Sequence, residues 1–434
     1  MRPLLSELSA TWRLAWPISL AMLAMMGMGV VDTLATSRLG GDAMAAVQMA
    51  TSWYFGVGVL LFGALRAVDP IVSQAHGAGD PRAIGRALAS AMGLALACTP
   101  VWVVALLAAG PGLAFFEQPA AQIPAAARFC AVLALGVPGS LLFSALRQVL
   151  QGIGVVRPAT VVLTATVVLN AVLVYALVFH LGGGTDAVAA ATACCNWFSL
   201  FALAWATRST WRPMVAAWPS LAEVGRLAWF GAPLGVQMAM EAWAFIVSSL
   251  FVGQIGATPL AAHAVVANCV TVSFMIPLGV GNAAATRVGN LIGAGEPWGR
   301  AAVASLLLGG GAMVVSGAVY SLVPGLVAGL YDPEPAVRDL VVLILPIGGA
   351  FQLFDGIQVV AFGILRGAGD YKLPSLANLV GYWIVGLPFG WWLAHERGWG
   401  AAGIWTGLGV ALALVAVLLL VRVRWTWRRG GFRV

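Results

Sequence analysis

Long apolar stretches separated by short polar ones make up almost the whole chain. Each stretch has about the 20 residues that a helix needs to cross the hydrocarbon core of a bilayer. There are twelve of them, at residues 14–36, 44–67, 87–109, 129–147, 159–180, 187–207, 228–252, 260–282, 301–325, 338–362, 374–394 and 401–421. They are too long and too uniformly apolar for the strands of a membrane β-barrel. The pattern therefore predicts an all-α integral membrane protein with twelve transmembrane helices.

The composition agrees with this pattern and excludes most other classes of protein. Hydrophobic residues account for 61% of the 434 residues and charged residues for 9%, and the mean hydropathy is +0.93. An ordinary soluble domain is about 25% charged. The chain therefore has too few charges for a soluble enzyme, a nucleic-acid-binding protein or a disordered protein, and a polytopic membrane protein is the class that remains.

The basic residues predict an orientation in the membrane. If the N-terminus is cytoplasmic, the outer loops contain only Arg38, Arg128, Arg338 and Arg397, and most of the other basic residues fall on the cytoplasmic side. Because this is the positive-inside bias, we expect a multi-pass protein of the cell inner (plasma) membrane with both termini in the cytoplasm. The net charge of +7 then reflects membrane orientation and does not indicate a nucleic-acid partner.

The sequence contains no motif typical of a nucleotide or metal cofactor. There is no G-x-x-x-x-G-K-[ST] pattern, so we do not expect ATP hydrolysis by this chain. The five cysteines lie in apolar stretches without a histidine at metal-ligand spacing, and we expect them to be small core residues. We therefore expect no cofactor.

The chain contains an internal repeat. Residues 77–81 read G-A-G-D-P and residues 293–297 read G-A-G-E-P, at an offset of 216 residues. Nearly the same offset relates further glycines, namely Gly40 to Gly256, Gly184 to Gly400 and Gly152 to Gly367. We also expect the acid after each G-A-G to start the next helix, because a helix N-terminus attracts negative charge.

The repeat predicts two halves of six helices each. The predicted N-lobe covers residues 1–206 with helices 1–6, a cytoplasmic linker covers 207–226, and the C-lobe covers 227–434 with helices 7–12 and a basic cytoplasmic tail. Because six is an even number, both halves start on the same side of the membrane. This predicts two bundles related by a pseudo-two-fold axis along the membrane normal, with a cleft between them.

Several motifs in order along the chain resemble those of one transporter family. The motifs are V-V-D-T-L-A-T-S-R-L-G-G-D (30–42), V-S-Q-A-H-G-A-G-D (72–80), R-V-G-N-L-I-G-A-G-E-P (287–297), G-I-L-R-G-A-G-D (363–370) and G-W-G-A-A-G-I-W-T-G (398–407). Together they resemble the multidrug and toxic compound extrusion (MATE) family, and its NorM-like branch in particular. The resemblance implies a MATE-like fold and an antiporter that exports organic cations and other amphipathic compounds in exchange for H⁺ or Na⁺.

Acids inside the predicted helices are candidate functional groups, because a charge at the bilayer centre costs about 2.5–3.5 kcal/mol even on insertion scales. They are Asp32, Asp69, Glu241 and Asp355. The resemblance implies that Asp32 couples transport to a cation or serves as counter-charge for a cationic substrate; the alternative is a helix-packing acid. For Asp69, three residues after Arg66, a structural ion pair is expected.

Glu241 and Asp355 match acids of the second half in the NorM-like branch. If their carboxyl groups lie within a few ångströms, they would share a proton or bind one Na⁺ together. The alternative is a buried polar patch between helices. Neither acid is repeated in the first half, where Met25 and Gly139 take the related positions.

The resemblance implies a further role for Asn170, as the partner of the acid in the first helix. The family often places an aspartate four residues later, where this chain has Val174. A lone histidine near a helix end, His263, is expected to be structural. Candidate substrate contacts complete the set, and they are Asp32, Met25, Gln237, Trp243, Gln352 and Gln358.

Two other functions remain open from the sequence. One is an exporter of lipid-linked precursors or metabolites from the same wider superfamily, which would need a basic cavity. The other is an integral-membrane enzyme, which would need clustered catalytic or metal-binding residues. We expect a transporter of small molecules in contact with membrane lipid, and a monomer.

Overall fold

The structure, a computed structural model, describes residues 2–214 and 219–432. These residues are mainly helical, with short loops between the helices. The helices are α1 (Arg2–Ser37), α2 (Gly41–Leu65), α3 (Val68–Gly77), α4 (Pro81–Leu107), α5 (Ala109–Phe115), α6 (Ile123–Ala134), α7 (Val137–Gly152), α8 (Arg157–Val174), α9 (Gly184–Ala206), α10 (Arg208–Trp211), α11 (Leu221–Ile255), α12 (Ala257–Ala294), α13 (Gly299–Leu322), α14 (Pro324–Gly329), α15 (Pro335–Gly367), α16 (Lys372–Leu379), α17 (Leu387–His395) and α18 (Gly400–Arg428). Single π-helical segments extend α8 over Tyr175–His180 and join α16 to α17 over Val380–Gly386.

The helices agree with the predicted membrane-spanning pattern. Eleven are long and apolar enough to cross a bilayer, and a bent pair brings the total to twelve within the described ranges. The bent pair, α6 and α7, meets at 50° where the sequence predicted one stretch at 129–147. Pro138 lies in the first turn of α7, and its ring nitrogen cannot donate the hydrogen bond that would continue α6. Part of the predicted linker, residues 215–218, lies outside the described residues.

The chain forms two compact units that exchange the ends of two helices. One unit contains the residues up to Leu20, a short piece at Gly77–Gly79, and Val236 onwards. The other contains Ala21–His76 and Asp80–Gly235. Helices α1 and α11 therefore each contribute to both units, and the two exchange points are related by the repeat. The lobe boundaries at 206 and 227 stay a prediction.

The repeat is present in the backbone as well as in the sequence. Ten of the glycines with positive φ form five pairs at offsets of 215 or 216 residues. The pairs are Gly40 and Gly256, Gly79 and Gly295, Gly154 and Gly369, Gly182 and Gly398, and Gly184 and Gly400. Side chains other than glycine rarely adopt this conformation, so the repeat preserves the loops that connect the helices.

The two G-A-G loops nevertheless start their next helices differently. Asp80 is the N-cap of α4, where its Oδ1 accepts hydrogen bonds from the backbone N–H of Arg82 and Ala83, both at 3.0 Å. The expectation was wrong for Glu296, because α13 begins later, at Gly299, and has no side-chain cap. Glutamate is a poorer N-cap than aspartate, and here its backbone N–H closes α12 by donating to Leu291.

Close helix packing defines the centre of the unit that contains α12 and α15. A Cβ atom added at Gly363 would lie 2.1 Å from the Gly281 carbonyl oxygen, and one at Gly367 would lie 2.3 Å from the Ala285 oxygen. Small residues let helix backbones approach in this way inside membranes. Four of the five cysteines are buried as expected, whereas the expectation of a core position was wrong for Cys194, which is exposed.

Candidate functional site

Asp32 lies within α1 and accepts a hydrogen bond from the neighbouring helix α9. Thr192 Oγ1 donates to Asp32 Oδ2 at 3.0 Å, across 160 residues of sequence. Thr36, one turn later in α1, donates to the backbone oxygen of Asp32 at 2.9 Å. The other carboxylate oxygen, Oδ1, is buried without a hydrogen-bond partner. One carboxylate oxygen of Asp32 is thus fixed by Thr192, and the other can accept a hydrogen bond from a ligand.

Asn170 approaches the same carboxylate from α8. It is fully buried and interacts with Asp32, yet neither its Nδ2 nor its Oδ1 makes a hydrogen bond of normal geometry. Cys195 interacts with both Asp32 and Asn170. We call Asp32, Asn170, Thr192 and Cys195 the Asp32 cluster. Val174, where the family often has a second acid, is buried, so the cluster contains one carboxyl group.

Glu241 and Asp355 lie together in the other unit. Gln237 Nε2, one turn earlier in α11, donates to Glu241 Oε2 at 2.7 Å. The Asp355 side chain is buried on α15 and lies close enough to Glu241 for their charges to interact. The sequence proposed this pair on condition that the two carboxyl groups lie within a few ångströms of each other. The structure places both acids in one unit, near enough for their charges to interact, and the shared cation site stays a prediction.

Tyr382, which the sequence did not single out, lies beside this pair of acids. Tyr382 lies within electrostatic range of both Glu241 and Asp355, and its hydroxyl oxygen is buried without a hydrogen-bond partner. Its ring lies 6.3 Å from that of Phe245, which is one turn after Glu241 in α11. We call Glu241, Asp355, Tyr382 and Gln237 the carboxyl-pair cluster. Tyr382 lies in the π-helical segment after α16, and no local sequence pattern places that segment beside α11.

The two glutamines that flank Asp355 on α15 are both buried. Gln352 accepts a hydrogen bond from Ser316 Oγ at 2.7 Å through its Oε1, while its Nε2 has no partner. Gln358 Oε1 has none either. Unpaired polar atoms in an apolar interior are costly, so these positions are suited to a polar ligand that enters from outside the bundle.

Two further predicted substrate contacts, Met25 and Trp243, lie on α1 and α11 and stay predictions. Met25 is 44% exposed and lies on the Asp32 face of α1, two turns before the acid. Trp243 follows Glu241 by two residues, which places it about 200° around α11 and therefore on the opposite side of the helix. The structure thus brings Gln237 to the carboxyl pair and does not bring Trp243 there.

The remaining buried charges have protein partners. Asp69 accepts a hydrogen bond from Gln151 at 3.3 Å and attracts Arg147, and Arg366 donates to Asn282 Oδ1 at 2.9 Å. His263 shares a 3.0 Å hydrogen bond with Ser249. These contacts agree with the structural roles expected for Asp69 and His263, and they give Arg366 a structural role as well.

The carboxyl-pair cluster has the chemistry that cation binding would need. Two carboxylates close together in apolar surroundings repel each other, and a bound proton or Na⁺ removes that repulsion. No group of three or more His, Cys, Asp or Glu side chains suited to a metal ion occurs among residues 2–214 and 219–432. A cation at this cluster would therefore be held by two carboxyl groups with neutral oxygens beside them.

Comparisons with known proteins agree with the duplication. The sequence profile of the MatE family matches the chain twice, over residues 17–176 and 233–392. Multidrug resistance protein NorM of Burkholderia vietnamiensis is 37% identical over 413 residues, which cover 92% of this chain and 89% of that protein. A probable multidrug resistance protein NorM of Deinococcus radiodurans is 34% identical over 421 residues, covering 93% and 92%. The crystal structure of the eukaryotic MATE transporter AtDTX14 has a TM-score of 0.90 at 23% identity and covers 98% of both chains.

Proposed function

Because the chain belongs to the MATE family of membrane transporters, we propose that it is a NorM-type multidrug exporter that works as an antiporter. Organic cations and other amphipathic compounds leave the cell in exchange for H⁺ or Na⁺. The carboxyl-pair cluster carries this proposal, since Glu241 and Asp355 are close enough for their charges to interact.

The coupling follows from the charge of the pair. With a proton or Na⁺ bound, the repulsion between the two carboxyl groups is removed and the site has less attraction for an organic cation. Once the ion has left, the site carries a negative charge that must be matched again, either by another ion or by a cationic substrate. Exchange results if the ion and the substrate favour opposite states of the protein or exclude each other.

The Asp32 cluster is the proposed second cation site. It has one carboxyl group, and the free Asp32 Oδ1 lies near the unpaired amide of Asn170. A single carboxylate with neutral donors and acceptors beside it suits a protonated or permanently cationic organic group better than a closely coordinated metal ion, which prefers several oxygens. We therefore assign it a part in substrate binding as well as in ion coupling.

The charges within the helices favour cationic over anionic substrates. Asp32, Glu241 and Asp355 are acids, and Arg366 lies in the last turn of α15, where it is bonded to Asn282. An exporter of phosphate-bearing lipid precursors would need a basic site in place of these acids. The acids thus support the drug-exporter function over that alternative.

Transport by the purified protein in liposomes tests the proposal. Ethidium, a cationic dye, is followed under an imposed pH gradient without sodium, and then under an imposed sodium gradient at constant pH. We expect one of the two gradients to drive uphill dye movement. If neither gradient moves ethidium or any other cationic dye, the antiporter proposal is wrong.

Substitutions locate the coupling site. Glu241→Gln and Asp355→Asn each remove one charge of the pair, and we expect gradient-driven transport to fall at least about tenfold, because the charge repulsion that links ion and substrate is lost. Asp339→Asn is the matched control, because Asp339 is an exposed acid on the same helix. Equal transport by E241Q, D355N and D339N would remove the pair from the mechanism.

A further inference from the structure

The last helix, α18, has an exposed apolar stripe that runs into two arginines. Side chains at spacings of three and four residues lie on one face of a helix, and here that face is 41–64% exposed at Val410, Leu414, Val417 and Val421. In a membrane-spanning helix, such a stripe faces the acyl chains of the lipid. Three and seven residues after Val421, the same stripe continues with Arg424 and Arg428, which are both exposed.

Neighbouring side chains fix this end of α18 without using these two arginines. Arg422 forms an ion pair with Asp370, and Thr426 Oγ1 donates to the same carboxylate at 2.8 Å. The guanidinium group of Arg429 lies 4.0 Å from the ring centre of Trp425. Within the described parts of the chain, by contrast, Arg424 and Arg428 form neither an ion pair nor a side-chain hydrogen bond.

The chain beyond α18 turns back toward the protein. Gly430 and Gly431 have positive φ values of 81° and 87°, and the backbone N–H of Phe432 donates to the Ala368 carbonyl oxygen at 2.8 Å. Because this return is tied to the segment between α15 and α16, it leaves the arginine face of α18 uncovered by these residues. Trp427, beside that face, is 53% exposed.

We propose that the end of α18 is a binding site for an anionic phospholipid. The acyl chains would lie along the apolar stripe, and Arg424 and Arg428, one helical turn apart, would hold the headgroup phosphate. Guanidinium groups bind phosphate through paired hydrogen bonds, and tryptophan is favoured at the level of the headgroups. Arg429 adds a third positive charge, which disfavours headgroups that carry an ammonium group and favours those with a net negative charge.

This site is independent of the transport mechanism, so binding is measured directly. The full-length protein is purified in detergent, and binding of a fluorescent phosphatidylglycerol is titrated against phosphatidylcholine of the same chain length. We expect Arg424→Gln with Arg428→Gln to bind phosphatidylglycerol roughly 25-fold more weakly than the wild type, since each arginine near an anionic lipid contributes about fivefold in affinity. Retention on size-exclusion chromatography and an unchanged circular dichroism spectrum show that the variant is folded.

A matched control separates a site from general surface charge. Arg82 and Arg86 are also exposed and four residues apart, at the start of α4, but the helix face beyond them continues with the small residues Ala89 and Gly93 and has no exposed apolar stripe there. We expect R82Q with R86Q to bind phosphatidylglycerol as the wild type does. If this control loses as much affinity as R424Q with R428Q, or if phosphatidylcholine binds equally well, the proposal is wrong. Competition by millimolar inorganic phosphate as strong as that by the lipid would likewise overturn it, because the stripe would then contribute nothing.

Discussion

Buried carboxyl groups in this protein fall into two kinds, according to what surrounds them. Asp69 and Asp370 have basic partners, Arg147 and Arg422, and such pairs are costly to disturb. Asp32 and Asp355 have neutral neighbours or another acid. Within the described residues, the protein supplies no positive charge for Asp32 and Asp355, so a bound cation has to supply it. Transport chemistry is therefore assigned to these two acids, and a structural role to Asp69 and Asp370.

Thr192 is the residue whose replacement tests the setting of Asp32. Thr192→Val keeps the shape of the side chain but removes the hydrogen bond to the Asp32 carboxylate. Because hydrogen bonds to charged groups contribute about 1.5–3 kcal/mol, we expect the KM for ethidium export to rise at least roughly tenfold. Thr192→Ser keeps the hydroxyl and is expected to stay near the wild-type value. Equal values for T192V and T192S would contradict the role of this bond.

Tyr382 offers a test that separates binding from stability. Its buried hydroxyl has no hydrogen-bond partner, so Tyr382→Phe removes a polar atom without breaking a hydrogen bond. We expect the thermal unfolding midpoint to stay the same or rise slightly, by an amount equivalent to at most about 1 kcal/mol, while dye export weakens. A fall in both quantities would show that the hydroxyl is structural.

The sequence was sufficient to find the acids but not their partners. Asp32, Glu241 and Asp355 could be predicted because a charge inside an apolar stretch is conspicuous without any knowledge of the fold. Thr192 and Tyr382 are ordinary residues for a transmembrane helix, and they reach the acids only through packing between helices that are far apart in the chain. The position of Trp243 shows the converse, since a residue close to Glu241 in sequence points away from it on the helix.

At the scale of helices, α12 and α15 are held by backbone contact more than by large side chains. The approach at Gly363 leaves no room for a methyl group beside the Gly281 oxygen. Contact this close leaves the two helices little room to shift against each other, and it lies two turns after Asp355 on α15. The helix lengths followed from the apolar pattern, whereas this contact depends on which glycines meet.

Gly363→Ala is therefore expected to destabilise the protein. Forcing a methyl group into a filled helix contact costs about 1–3 kcal/mol, which lowers the thermal unfolding midpoint in detergent. Gly311→Ala in α13 is the control, because a Cβ there meets nothing within 4 Å, and replacing glycine by alanine within a helix stabilises it by about 0.5–1 kcal/mol. The packing argument would be wrong if both variants shifted the midpoint in the same direction.

At the scale of the whole molecule, the repeat defines the scaffold and departures from it define the chemistry. The glycine turns recur at the same offset in both halves, while the acids Asp32, Glu241 and Asp355 do not. The duplication was visible in the sequence because few other residues can replace a glycine that has a positive φ. The exchange of helix ends was not, because it depends on which unit the first turns of α1 and α11 pack against.

One ion pair fixes the exchanged end of α1. Glu7 accepts two hydrogen bonds from Arg287 of α12, at 2.8 and 3.0 Å. We expect Arg287→Gln to accelerate amide hydrogen exchange about tenfold in residues 5–20, since bonds to charged groups contribute about 1.5 kcal/mol or more, and to leave residues 21–37 unchanged. Arg338→Gln, which removes an exposed arginine from α15, should alter neither segment. Equal acceleration on both sides of Leu20 would show that α1 belongs to one unit.

The division of α1 also sets an order for assembly on the ribosome. The unit that ends at Gly235 has all its parts once that residue has emerged, but the residues up to Leu20 belong to a unit whose other elements, apart from Gly77–Gly79, begin at Val236. At about 5–20 residues per second, this segment waits tens of seconds for the helices that it packs against. The first half of α1 is thus among the last parts to reach its final place, and until then it contacts lipid where the second unit will pack.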